Sequence, residues 1–135
     1  MTLDTSALIA VLFSEPGYLS LVDRLLEADV LRIGAPTLAE VSIVFTGRTG
    51  RKPGKADERL VHDLVKELDI TIVPFGEAEW RRAADAYARY GRGRHKASLN
   101  FGDCLSYAAA MTAGDTLLFI GDDFTRTDVR AAPRT

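Results

Sequence analysis

The sequence has little of the chemistry that a disulfide-bonded, zinc-binding or membrane-spanning protein needs. Its single cysteine, Cys104, cannot form an intramolecular disulfide and is expected to be a small buried side chain in a reducing compartment. Two histidines and one cysteine supply a zinc site poorly. No apolar run approaches the ~18 residues of a membrane span, and the N-terminus lacks the basic segment of a signal peptide. We therefore expect a cytoplasmic protein with no membrane partner.

Positive charge is not in excess either. The chain has 17 Lys and Arg residues against 19 Asp and Glu residues, which gives a net charge of −2. An anionic partner would have to be met by a local basic patch. Apolar residues make up 47% of the chain and charged residues 27%, which is typical of a globular protein and excludes disorder of the whole chain. Because no linker or repeat interrupts it, we expect one domain spanning residues 1–135.

Short apolar segments alternate with longer helical patterns along the chain. The apolar segments predict strands at residues 1–4, 30–34, 70–75 and 116–120. Helical patterns follow at residues 7–13, 18–28, 37–46, 57–68 and 77–90, and a last one begins directly after residues 100–102. Glycine and proline predict loops at 47–54 and 91–98. This alternation predicts an α/β fold with a short, mainly parallel sheet that is covered on both faces.

Acidic residues stand at three places that such a fold can bring together. Asp4 ends the first strand, and Asp122 and Asp123 follow the last one. Parallel strands end at the same edge of the sheet, where functional groups gather. Asp103 falls in the first turn of a helix, where free N–H groups favour a negative charge. Each of these acids also has a simpler interpretation as a helix cap or a turn residue.

Glu40 is the fourth acidic position. It is the only charged residue in residues 35–47, and on a helical wheel Ile43 and Val44 flank it. A carboxylate among apolar neighbours is costly unless it is paired or binds an ion; the alternative is an acid that reaches solvent. Several converging carboxylates need a cation, and oxygen ligands favour Mg²⁺ or Mn²⁺. Such an ion suits phosphate chemistry.

The order of these motifs resembles the PIN domain and, more narrowly, the VapC toxins of bacterial toxin–antitoxin systems. The resemblance covers nearly the whole chain and rests on Leu-Asp-Thr-Ser-Ala-Leu at 3–8, Glu40, Leu-Asn-Phe-Gly-Asp-Cys at 99–104 and Phe-Ile-Gly-Asp-Asp-Phe at 119–124. It implies a three-layer α/β/α sandwich and a Mg²⁺- or Mn²⁺-dependent endoribonuclease. Such a toxin would cleave structured RNA, tRNA or rRNA, and inhibit translation and growth. It would be neutralised by a VapB-type antitoxin, with homodimers joining antitoxin dimers.

The resemblance also assigns roles to individual acids. It carries metal binding onto Asp4 and Asp103 and places Glu40 in the same acidic cluster. The fourth acid is either Asp122 or Asp123; we favour Asp122, because Asp123 can cap the following turn. Two hydroxyl residues beside the first acid are expected to hydrogen-bond the site: Thr5 and Ser6.

Two basic segments are candidates for RNA phosphate contacts. The first contains Arg48, Arg51, Lys52 and Lys55; the second contains Arg89, Arg92, Arg94, His95 and Lys96. The second segment leads directly into residues 100–103, so we expect its charges beside the metal, and Gly91 and Gly93 are expected to keep it mobile. The simpler alternative is a solvated loop.

Two other functions are compatible with the sequence. Asp4, together with residues 121–123 and Asp128, also resembles the haloacid-dehalogenase-like phosphatases. That family has a second aspartate two residues after its nucleophile, where this chain has Ser6. The non-enzymatic alternative is a PIN-like module that binds RNA or a protein without cleaving it.

Overall fold

The computed structural model describes residues 1–50, 52 and 54–133. Its centre is a four-stranded sheet in the order β3-β2-β1-β4. The strands are β1 (Thr2–Leu3), β2 (Leu31–Gly34), β3 (Ile70–Val73) and β4 (Leu117–Leu118). All three strand pairs are parallel, which confirms the prediction and brings the carboxyl ends of β1 and β4 to one edge.

Helices connect the strands throughout the described ranges. They are α1 (Thr5–Leu12), α2 (Tyr18–Glu27), α3 (Ala35–Thr49), α4 (Lys55–Glu67), α5 (Glu77–Tyr90) and α6 (Phe101–Ala113). Every predicted element is present, and α5 has the predicted bounds. None of the described helices is both long and apolar enough to cross a bilayer.

Helix α3 runs further than the sequence predicted. Residues 47–49, expected in a loop, form its last turn. Tertiary contacts hold that turn: Arg48 Nη1 lies 2.9 Å from Glu15 Oε1, and its guanidinium lies 5.5 Å from the centre of the Phe13 ring. The helix ends where Gly50 adopts φ of 64°. Two residues of the predicted loop, Arg51 and Pro53, lie outside the described residues.

The buried side chains form two clusters, one on each face of the sheet. Leu118 belongs to the cluster built from α1–α4, and Leu117 belongs to the cluster built from α5, α6 and the segment after β4. Successive residues of a strand point to opposite faces, so these two neighbours serve both cores. The expected three-layer arrangement is therefore confirmed.

Candidate active site

Asp4 is held at both carboxylate oxygens where β1 passes into α1. It is 7% exposed and caps α1, since its Oδ2 accepts a hydrogen bond from the Ser6 backbone N–H at 3.1 Å. The Ser6 hydroxyl donates to the same oxygen at 2.6 Å, and the Ser106 hydroxyl donates to Oδ1 at 2.6 Å. Ser6 Oγ in turn accepts the Ile120 N–H at 2.9 Å, so it joins Asp4 to the segment after β4. The predicted contact of Ser6 with the site is present.

Asp103 lies in the first turn of α6, where Asn100 caps the helix. Asn100 Oδ1 accepts the Asp103 N–H at 2.9 Å, and Asp103 Oδ2 accepts the Asn100 N–H at 2.9 Å. Burial raises the pKa of Asp103 to about 6, against the lowering effect of the Asn100 N–H. The negative charges of Asp123, Asp4 and Glu40 raise this pKa as well. The fold therefore brings three further carboxylates within electrostatic reach of Asp103.

Glu40 reaches this cluster from α3. Its carboxylate packs against Gly102 so closely that a Cβ on residue 102 would overlap it. Gly102 is thus needed for the close approach of Glu40 to α6, rather than for an unusual backbone angle. Glu40 is half-buried. Its exposure is therefore intermediate between the two interpretations that the sequence left open, a carboxylate buried among apolar neighbours and an acid that reaches solvent.

The segment after β4 carries Asp122 and Asp123, both exposed. The backbone carbonyl of Asp122 accepts two hydrogen bonds from Thr125, one from the backbone N–H at 3.1 Å and one from the hydroxyl at 2.7 Å. Asp122 is therefore the first residue of this turn. The negative charge of Asp123 is one of those that raise the pKa of Asp103. Both residues therefore stay candidates for the fourth acid, and the preference for Asp122 stays a prediction.

The charges of the four acids are not balanced by ion pairs in the part of the chain that the structure describes. Among the described residues, none of Asp4, Glu40, Asp103 and Asp123 forms an ion pair. The described ranges also contain no group of three acidic, imidazole or thiol side chains close enough to form a ready-made metal site. Mg²⁺ keeps several waters and often binds one or two carboxylates directly, so it does not need such a group. An all-oxygen donor set with unbalanced negative charge fits a hydrated Mg²⁺ or Mn²⁺ ion.

Backbone hydrogen bonds join the two ends of the second basic segment. Arg92 N–H donates to the Leu99 carbonyl at 3.0 Å, and Leu99 N–H donates to the Tyr90 carbonyl at 2.9 Å. A Cβ at Gly91 would collide with the Tyr87 backbone oxygen and ring. Gly91 therefore provides a tight contact at the base of the segment, and the expectation that glycine keeps the segment mobile stays a prediction.

The candidate RNA-binding side chains of this segment are exposed: Arg92, Arg94, His95 and Lys96. The Arg94 guanidinium lies 5.8 Å from the centre of the Tyr87 ring, and His95 Nδ1 accepts the Ala97 N–H at 3.0 Å. Two other predicted contacts are engaged in ion pairs, namely Arg48 with Glu15 and Arg89 with Asp85 and Asp128. Arg51 lies outside the described residues, and the RNA contacts stay predictions.

An apolar groove of about 890 Å³ opens beside Glu40. We call it the aromatic groove; it is lined by Pro36, Ala39, Glu40, Ile43, Phe75, Trp80, Ala83, Ala84, Tyr87, Phe101, Cys104 and Leu105. Large apolar side chains on its walls are exposed, including Ile43 (71%), Trp80 (58%) and Phe101 (79%). Such an exposed apolar patch marks an interaction site.

Cys104 is buried as expected, and burial raises its thiol pKa to about 11, so it is not a thiolate nucleophile at neutral pH.

Ser106 is the functional candidate that sequence reasoning missed. A serine in the alanine-rich part of α6 has no distinctive pattern of its own. Its position three residues after Asp103, which places both on one face of the helix, was the available signal.

Comparison with known proteins agrees with this geometry. The PIN domain family matches residues 1–130. Ribonuclease VapC28 of Mycobacterium tuberculosis is 41% identical over 133 residues, covering 98% of this chain and 97% of the relative. The chain therefore belongs to the PIN-domain family and, within it, to the VapC ribonucleases. This assignment rules against the phosphatase alternative.

Solved structures show the same fold at low sequence identity. VapC20 of Mycobacterium tuberculosis, described as a sarcin-ricin loop cleaving toxin, has a TM-score of 0.72 at 15% identity, over 98% of both chains. VapBC2 of Rickettsia felis, solved with a promoter DNA fragment, has a TM-score of 0.73 at 16% identity, over 96% of this chain and 94% of that one.

Proposed function

We propose that this protein is a Mg²⁺- or Mn²⁺-dependent endoribonuclease toxin that cleaves structured cellular RNA, tRNA or rRNA, and thereby inhibits translation and growth. The observation that carries the proposal is the acidic cluster around Asp103, where burial and the neighbouring carboxylates raise the pKa of Asp103 and no ion pair among the described residues balances the charge. Membership of the VapC ribonucleases supports RNA as the substrate. A cytoplasmic location and a single domain over residues 1–135 are parts of the same proposal.

Each acid has a separate role in this proposal. Asp4 and Asp103 would hold the ion directly, since each keeps lone pairs beyond those used by its present donors. Glu40 and either Asp122 or Asp123 would bind waters around it and orient the attacking water. When bound, the ion supplies orientation of a phosphate oxygen and a lower pKa for the attacking water. The exposed Arg92, Arg94, His95 and Lys96 would hold RNA phosphates.

Metal removal tests this function. We expect purified protein to cleave a mixture of tRNA and rRNA in Mg²⁺ or Mn²⁺, to stop in excess EDTA, and to resume when the metal is restored. Gel analysis of the RNA follows cleavage, and sequencing of RNA ends after brief expression in cells identifies the target. Cleavage that continues in EDTA would contradict the metal site. Retention of intact RNA with and without metal would favour the non-enzymatic binding module.

We further propose that a VapB-type antitoxin neutralises the toxin by covering the aromatic groove. The groove is apolar along most of its length and ends at the acidic cluster, so it suits a segment with apolar side chains followed by a basic one. Homodimers that join antitoxin dimers belong to this proposal. The VapC relatives and the VapBC2 structure support an antitoxin partner.

A substitution in the groove tests the partner surface. Trp80→Ser is expected to raise the antitoxin concentration needed for half-inhibition by about tenfold or more, because a buried tryptophan anchor at an interface is often worth over 1.4 kcal/mol. RNA cleavage without antitoxin should be unchanged. Leu26→Ser, at a similarly exposed leucine of α2 outside the groove, is the control. Unchanged inhibition with a loss of dimers would instead assign the groove to the homodimer interface.

A further inference from the structure

We propose that Ser106 is a positioning residue that orients Asp4 toward the metal ion, an inference that rests on the proposed function. The Ser106 hydroxyl lies 2.6 Å from Asp4 Oδ1, and the two residues are 1% and 7% exposed. A short hydrogen bond from a hydroxyl to a carboxylate is charge-assisted and stronger than a neutral one. Ser106 therefore contacts a proposed metal ligand without facing solvent itself.

The hydrogen bond of Ser106 has a different acceptor from that of an ordinary serine inside a helix. A serine inside a helix commonly bonds back to the carbonyl four residues earlier, as Ser42 does to Leu38 at 3.2 Å in α3. Ser106 instead donates its only hydroxyl proton to Asp4, directly after β1. Its neighbours Ala108, Ala109 and Ala110 show that α6 packs at this place with small apolar side chains. A hydroxyl here is needed for Asp4 rather than for packing.

The contact links the two acids that are assigned to the metal. Ser106 and Asp103 lie one turn apart on α6, so the bond to Asp4 fixes the start of α6 against the end of β1. On its other oxygen Asp4 is held by Ser6. Hydroxyl donors on opposite oxygens fix the rotation of the carboxylate about its Cβ–Cγ bond. Without Ser106, only the Ser6 side of the carboxylate stays fixed.

The test compares Ser106→Ala with a matched variant of the same helix. We expect Ser106→Ala to raise the Mn²⁺ dissociation constant by about tenfold, the lower end of the effect of removing an outer hydrogen-bond partner of a metal ligand. Electron paramagnetic resonance titration of the protein without RNA measures this constant. Cleavage should fall to a similar extent at low Mg²⁺ and recover at high Mg²⁺. Thr112→Val, which removes a buried α6 hydroxyl with no partner among the described residues, should bind Mn²⁺ like the parent.

The possible results are distinguishable. Parent-like Mn²⁺ affinity of folded Ser106→Ala would overturn the inference and leave the proposed function intact. An equal loss of affinity in Thr112→Val would also overturn it, because helix packing would then be the cause. A parent protein that binds no Mn²⁺ would overturn the proposed function itself. Thermal unfolding of all three proteins establishes that each is folded.

Discussion

Asp103→Asn is expected to lower the rate of metal-dependent RNA cleavage by more than about 100-fold. Loss of an outer-shell partner of a metal ligand costs up to about 100-fold, and loss of a direct ligand should cost more. Asparagine keeps the shape of the side chain, and its carbonyl oxygen can still accept the Asn100 N–H that completes the helix cap. It removes the negative charge that the cation needs. Initial rates over a Mg²⁺ titration measure the loss, which high Mg²⁺ should not restore.

The same substitution is expected to stabilise the metal-free protein at neutral pH. Folding raises the pKa of Asp103 from 3.8 to about 6, so the folded state holds this proton more tightly than the unfolded state. Stability therefore falls as pH rises from about 4 to about 6 and stays lower above that range. With allowance for its partial exposure, we expect Asp103→Asn to gain about 1 kcal/mol at pH 8 and nothing below pH 4.

Urea unfolding in EDTA at several pH values checks this gain. Asp63→Asn, at an exposed acid of α4, is the control for a general effect of one lost charge. A gain of stability that does not depend on pH would contradict the electrostatic account. Undiminished cleavage by folded Asp103→Asn would remove this residue from the metal site.

The fold was predictable because its signals are local and repeated. The period and length of the apolar patterns distinguished strands from helices. In a parallel sheet, Asp4 and the acids after β4 must then lie at the same edge. The hypothesis for Glu40 came from a single charge on an apolar helix. These inferences depend on the backbone and on patterning, which the sequence contains directly.

The details that failed depend on contacts between distant segments. The last turn of α3 is held by Arg48 against Glu15 and Phe13, contacts that no local pattern near residues 47–49 reveals. The choice between Asp122 and Asp123, which both follow β4, also depends on the path of the turn and stays a prediction.

The proposed role of Ser106 likewise depends on Asp4, which follows β1 and lies 102 residues away in the sequence. Position-specific chemistry of this kind requires the three-dimensional structure. The neighbouring Gly102 is another example, because its partner lies on α3.

Gly102→Ala is expected to lower RNA cleavage by about 10- to 100-fold, the range for displacing an outer residue of a metal site. The added methyl group would occupy the place of the Glu40 carboxylate. Because that carboxylate ends a flexible side chain, Glu40 can swing away and the protein still folds. Alanine also has a helix propensity about 1 kcal/mol better than glycine, which offsets the displacement. Cleavage assays should therefore show a loss of activity, whereas urea unfolding should show a nearly unchanged free energy of unfolding.

A double-mutant cycle tests whether displacement of Glu40 causes the loss of RNA cleavage in Gly102→Ala. If the methyl group acts only by displacing this side chain, Gly102→Ala should add nothing to Glu40→Ala, and the two effects should be strongly non-additive. Gly47→Ala in α3, where a Cβ meets no atom within 4 Å, is the control and should leave cleavage unchanged. Additive losses would mean that residue 102 acts on the site by another route, such as the position of Asp103. Parent-like activity of Gly102→Ala would show that cleavage does not need Glu40 at its present position.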